Sequence, residues 1–156
     1  MSHTLILMRH AKSGWDDITL PDHDRPLNAR GRASAKAMGE WLRTQGYTPD
    51  TAISSSSQRT GETFHGLGFD VPVQFTRALY HAGPEMMMEV LRDQTAPTVL
   101  MLGHNPGWES AASCLAGRHV QMTTCNAALL EREPIPWAEA IQAGWHLRHH
   151  VRPKML

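Results

Sequence analysis

Two guanidinium groups and two imidazoles stand just beyond short apolar runs in this 156-residue chain. Arg9 and His10 end the run Leu5-Ile6-Leu7-Met8. Arg59 lies a few residues past Thr51–Ser54, and His104 follows Thr98–Leu102 across Gly103. Arginine offers planar, paired N–H donors that match phosphate oxygens. A neutral imidazole is a nucleophile for phosphoryl transfer, and nearby arginines depress its pKa and keep it neutral. Gathered in one pocket, the four side chains would suit a phosphoryl group and offer it an imidazole nucleophile.

Such a pocket requires the three runs to be parallel neighbours, because ligands of open α/β sheets bind at the carboxyl ends of strands. Thr4–Met8 and Thr98–Leu102 are continuous apolar runs of the kind buried on both faces of a parallel sheet, and Thr51–Ser54 reads as another strand. Val71–Phe75 reads as an edge strand because it contains Pro72. Ala127–Glu131 and Gly144–Val151 read as later strands. Between them, Asn28 is a helix N-cap. Ala33, Ala37 and Trp41, with Met38 and Leu42, form a helical stripe that ends at Gly46. Further helices are expected over Gln58–Leu67, from Pro84 to about Arg92, and after Gly107 to Ala116. This alternation predicts an α/β chain folded as one domain over residues 1–156, a three-layer α/β/α sandwich with a mostly parallel central sheet.

Composition narrows the function. Fifteen Lys and Arg offset fifteen Asp and Glu, so no overall charge draws the chain to nucleic acid or to an anionic membrane. The run before Arg9 is too short for a signal peptide or a membrane span, which predicts a soluble, cytoplasmic protein. Cys114 and Cys125 lack CxxC spacing and read as free thiols. His146, His149 and His150 invite a metal reading. In a regular strand His146 and His150 would share one face, with His149 on the other. With no matched carboxylate or cysteine, no metal site is expected, and no cofactor.

The quoted residues also resemble a known family. Arg9-His10-Ala11-Lys12-Ser13 looks like the RHG-type signature of the histidine phosphatase superfamily, which includes the phosphoglycerate mutases. Arg25-Pro26-Leu27-Asn28-Ala29-Arg30-Gly31 resembles its second block, and Ile53-Ser54-Ser55 with Arg59 and Thr63 its third. Gly103-His104-Asn105-Pro106-Gly107 resembles the fourth, and the closing Arg152-Pro153-Lys154 also fits. Within the superfamily the chain is most similar to the short bacterial phosphohistidine phosphatases of the SixA type. The resemblance implies a phosphoglycerate mutase-like fold and a phosphohistidine intermediate on His10. It implies phosphoryl contacts from Arg9 and Arg59 and a further contact from His104. The backbone N–H of Asn105 would add another donor.

Departures from the family pattern bear on substrate. Ala11 replaces the commoner Gly, Ser56 and Thr60 replace Pro and Ala, and Asp16 stands where many relatives have Asn. Larger relatives carry a Glu general acid in the region matching Leu79-Tyr80-His81, whereas the first carboxylate here is Glu85. An alkoxide leaving group needs a proton donor, and the imidazole of a phosphohistidine departs far more easily. The expected substrate is therefore a phosphohistidine on a partner protein. A phosphomonoesterase for small phosphorylated metabolites is the alternative, with His81 or Tyr80 as the donor. A non-catalytic phosphate-binding module ranks lower, since it needs no nucleophile. Lys12 and Arg25 read equally as loop anchors or substrate contacts, and Trp108 as core or as pocket wall.

Overall fold

The computed structural model describes residues 2–141 and 144–156. The apolar runs become interior strands. β1 (His3–Arg9) lies between β4 (Thr98–Gly103), which runs parallel to it, and β5 (Ala127–Arg132), which runs antiparallel. β2 (Thr51–Ser55) pairs with β4, β3 (Val73–Thr76) forms one edge, and β6 (His146–Val151) forms the other. The order is β3-β2-β4-β1-β5-β6. β6 is antiparallel to β5 and so points the same way as β1, leaving β5 alone reversed. The carboxyl ends of β2, β4 and β1 are thus adjacent, as convergence of the basic residues requires.

Register divides the core in two. Ile6 pairs with Leu100 and Leu129, and their side chains face α1 (Ala29–Thr44) and α2 (Gln58–Leu67). Leu5 and Leu7 pair with Val99 and Met101 on one side and with Leu130 and Ala128 on the other. They face α3 (Pro84–Leu91), α4 (Gly107–Ala116) and the short α5 (Trp137–Ala140). This is the three-layer sandwich, its sheet mostly parallel. The edge strand begins just after Pro72, whose carbonyl still accepts from the Ala52 N–H at 2.9 Å.

Two local expectations need correction. The buried face of α1 is Gly31, Ala35, Met38, Gly39 and Leu42. Ala33 is exposed, and Ala37 and Trp41 are only half-buried. Apolar periodicity found Met38 and Leu42 but not the rest of this face, because two of the remaining members are glycines chosen for contact rather than hydropathy. A Cβ on Gly31 would lie 2.1 Å from the Lys12 carbonyl oxygen, so the helix packs directly on the backbone beside the site. The second correction concerns β6. The register against β5 shifts between Leu129 and Leu130 and leaves Arg148 outside the pairing. This bulge interrupts the alternation of faces. His150 shares a face with Leu147, while His149 shares the other with His146, so His146 and His150 do not face the same way.

Candidate active site

His10 sits at the end of β1 on a backbone clamped from both sides. Its N–H donates to Gly103 at 3.1 Å, and its carbonyl accepts from Cys125 at 2.9 Å. Ala11 N–H donates to Thr63 Oγ1 at 3.0 Å, and the Thr63 hydroxyl donates to the Arg59 carbonyl at 2.7 Å. The imidazole is 6% exposed. Its Nδ1 lies 2.7 Å from the Ala11 carbonyl, which can only accept, so Nδ1 carries the proton and Nε2 keeps its lone pair. Burial, and then the charges of Arg59, Arg9 and Arg25, push its pKa down to about 3 against the opposing bond to Ala11. The sequence reading credited the arginines; desolvation is the larger cause.

Arg59 enters from the first turn of α2, whose N-cap Ser57 accepts from Thr60 N–H. It is 2% exposed. Its Nη2 donates toward His104 Nδ1 at 3.3 Å. Since a guanidinium only donates, His104 Nδ1 accepts and Nε2–H points to Ser55 Oγ at 2.8 Å. In the free site, therefore, His104 offers no N–H toward Arg59. The Ser55 hydroxyl can also donate, so the opposite tautomer becomes available once Arg59 turns its Nη2 from Nδ1 to a bound anion. Burial, and then the neighbouring His10 and Arg59, push His104 down to about 2. The His10 and His104 rings are 5.3 Å apart, centroid to centroid. Arg9 donates to the Met122 carbonyl at 3.3 Å. The Nε atoms of Arg9 and Arg59 are buried without a hydrogen-bond partner among the described residues.

Arg9, His10, Arg59, His104 and Asn105 all line one cavity of about 300 Å³. The Asn105 side chain is occupied, donating to the Met122 carbonyl at 2.6 Å and accepting from Glu109 N–H at 3.1 Å. The expectation for this residue concerns its backbone N–H, which these two side-chain bonds leave untouched. Lys12 and Arg25 line the cavity as well. Arg25 also anchors the loop, through Asp22, Ser13 and the face of Trp15.

The residue that the sequence reading missed is Asp22. It lies on a 3-10 turn (Asp22–Asp24) within the stretch between β1 and α1. That stretch closes on itself through Gly14 N–H to Pro26 O and Asn28 N–H to Lys12 O, both 3.0 Å. His23 Nε2 pairs with Ser56 Oγ at 2.8 Å, so one departure from the family pattern ties this turn to the start of α2. Asp22 thereby reaches Arg59, Arg25, Tyr80 and His81. Burial works against its charge, but hydrogen bonds from Tyr80, Arg25, Arg59 and His81 outweigh this and hold the carboxyl well below the usual carboxylate range. It is a fixed anion, not a proton donor. His81 also lines the cavity, at positive φ, with its ring 4.9 Å from that of His104. Its turn is held close by α4, where a Cβ on Gly107 would strike the Ala82 carbonyl oxygen.

Other candidates fall away from the cavity. Trp108 is fully buried core, and Asp16 and Glu85 do not line the cavity. Cys125 is buried, its thiol pushed up to about 12 by desolvation, and Cys114 is exposed and free. His149 packs edge-on against Trp41 and Tyr47. Met87 is core, whereas Met86 is exposed. Among the described residues, no group of three or more His, Cys, Asp or Glu is disposed to hold a metal.

The sequence profile of the histidine phosphatase superfamily (branch 1) matches residues 5–105, and the chain belongs to that superfamily. An uncharacterised chloroplastic protein of Arabidopsis thaliana is 37% identical over 172 residues, covering 98% of this chain and 79% of that protein. An uncharacterised protein of Mycobacterium tuberculosis is 35% identical over 127 residues, covering 80% of this chain and 77% of that one. The solved structure assigned as phosphohistidine phosphatase SixA of Nakamurella multipartitia superposes with a TM-score of 0.89. It is 28% identical, over 98% of this chain and 97% of that chain. Family and fold together make the chain a phosphatase with the phosphoglycerate mutase-like architecture.

Proposed function

We propose that this phosphatase removes the phosphoryl group from phosphohistidine on a partner protein, through a covalent intermediate on His10. The observation that carries the proposal is the pairing of a neutral, oriented His10 Nε2 with a cavity whose carboxylate, Asp22, is held ionised. The lining offers donors for an anion and, among the described residues, no carboxylic acid to protonate a leaving group. In the first step the Nε2 lone pair forms a P–N bond while the P–N bond to the substrate imidazole breaks. That imidazole takes the electron pair and leaves as a stable, neutral ring, provided its other nitrogen bears a proton. In the second step water attacks the phosphorus, the bond to Nε2 breaks, and the water proton leaves with phosphate or solvent. Arg9, Arg59, the Asn105 N–H and His104 would hold the phosphoryl oxygens throughout. Preorganised donors of this kind are usually the largest catalytic term.

The surroundings of the cavity favour a protein substrate. Trp15 lines it and is 67% exposed, and Ile18 nearby in sequence is 87% exposed. With Leu20 they form an exposed apolar stretch on the loop that carries Trp15, suited to a macromolecular surface rather than to a sugar. One relative in fold is named for phosphohistidine phosphatase activity. The alternative, a phosphomonoesterase for small metabolites, draws on His81, which lines the cavity with its Nε2 3.0 Å from Asp22. The test is a panel of a phosphohistidine protein, phosphohistidine peptides, sugar phosphates and phosphoglycerates under one set of conditions. A preference for phosphohistidine in kcat/KM is expected. Efficient hydrolysis of the alkyl esters would establish the metabolite reading instead.

A further inference from the structure

Beside the catalytic cavity is a second one, of about 270 Å³, and the two share Lys12 and Thr124 as a common wall. Its charged lining is Lys12, Arg30, Arg152 and Lys154, with no carboxylate. None of these four makes an ion pair among the described residues. In a chain whose acidic and basic residues balance, four uncompensated cations in one concavity are a local excess. They come from separate elements. Lys12 follows β1, Arg30 lies in the first turn of α1, and Arg152 and Lys154 come from the end of β6 and the 3-10 turn beyond it. The wall between the cavities is rigid. The Lys12 carbonyl accepts from Asn28 N–H at 3.0 Å and is pressed against Gly31.

We propose that Lys12, Arg30, Arg152 and Lys154 form a second anion-binding subsite, which takes a carboxylate or phosphate group carried by the substrate beside its scissile phosphoryl group. The reading rests on the catalytic assignment above and adds a specificity element to it. Lys12, which lines both cavities, would lie between the two anions. Arg152 and Lys154 touch only the second, and so act on affinity without meeting the reacting atoms.

The test compares wild type with an Arg152→Gln/Lys154→Gln double variant on two substrate pairs. One pair is a phosphohistidine peptide flanked by Asp and the same peptide flanked by Asn. The other is phenyl phosphate and an aryl bisphosphate. Wild type should favour the more anionic member by about tenfold, through KM rather than kcat, and the variant should lose that preference. Its kcat/KM on the Asn-flanked peptide and on phenyl phosphate should remain within about twofold of wild type. Preference in the peptide pair places the second anion on a protein. Preference confined to the bisphosphate pair places it on a small molecule. Either result supports the subsite. A wild type with no preference, a variant that keeps it, or a variant equally impaired on the neutral members would overturn it. Turnover of the Asn-flanked peptide by wild type separately reports on the phosphohistidine reading.

Discussion

Asp22 holds Arg59 by two different atoms. Its carbonyl oxygen accepts from Nη1 at 2.7 Å, and its carboxylate Oδ2 accepts from Nη2 at 3.0 Å. One of the arginines facing the phosphoryl site is therefore partly neutralised and fully oriented before any substrate arrives. The same carboxylate would repel a phosphate dianion, and so favour release of product. Asp22→Asn should strengthen competitive inhibition by inorganic phosphate several-fold. It should also lower kcat by roughly tenfold, as Arg59 and the turn lose part of their alignment. Product-inhibition kinetics measure both. Unchanged phosphate affinity would show that the carboxylate does not act on the anion.

The nucleophile can be tested by removal and by trapping. His10→Ala should reduce turnover on the order of 10⁴-fold or more while leaving the circular dichroism spectrum unchanged. Wild type mixed briefly with labelled substrate and quenched without acid should carry the label on His10. Label on Ser55, Cys114 or Asp22 would refute the mechanism.

Ser55 is a positioning residue in this account. Its hydroxyl accepts from His104 Nε2 and can also donate, which lets His104 present either a lone pair or an N–H at Nδ1. Ser55→Ala should lower kcat far more than it raises KM. It should also cost about 1–3 kcal/mol of stability by leaving a buried ring nitrogen unpaired. Ser55→Thr, which retains the hydroxyl, should recover kcat if it folds as stably as wild type. Equal loss in both variants at matched stability would reduce Ser55 to packing.

Stability against pH follows from the depressed values of His10 and His104, about 3 and about 2. Between those values and the ordinary histidine range, the unfolded chain binds protons that the folded chain does not. The contribution of each neutral ring is complete above about pH 6.5 and is lost as pH falls, at up to roughly 1.4 kcal/mol per pH unit. Denaturant melts from pH 7.5 to 4.5 should show this slope, and His10→Ala should flatten it. Acid inactivation should accordingly track unfolding rather than protonation of the nucleophile.

Leaving-group dependence tests for a general acid. With Asp22 ionised, log kcat/KM should fall steeply as leaving-group pKa rises, because a positioned acid typically supplies about 10²–10⁴-fold. His81→Asn should leave that slope unchanged. A flat slope in wild type that becomes steep in His81→Asn would make His81 the proton donor and favour the metabolite reading.

The convergence of Arg9, His10, Arg59 and His104 on one cavity was legible because each follows an apolar run, and parallel neighbouring strands deliver their carboxyl ends to one place. Asp22 was not, because its position depends on how an irregular stretch closes, through Gly14 with Pro26 and His23 with Ser56. No periodicity marks such a closure. The face of α1 was misjudged at Gly31 and Gly39, where the lack of a side chain is itself the packing feature. The bulge at Arg148 leaves no mark in composition, yet it separates His146 from His150.

The reversal of β5 has a practical consequence. It turns β6 forward again, so Arg152 and the residues after it emerge beside the cavities, while His3 opens β1 at the opposite end of the sheet. Any sequence appended after Leu156 would start within a few residues of Lys154, which lines the second cavity, and an acidic extension there could compete for the very cations that greet a substrate. Purification handles, fluorophores and surface tethers belong ahead of His3, where an immobilised molecule would present its open face to solution.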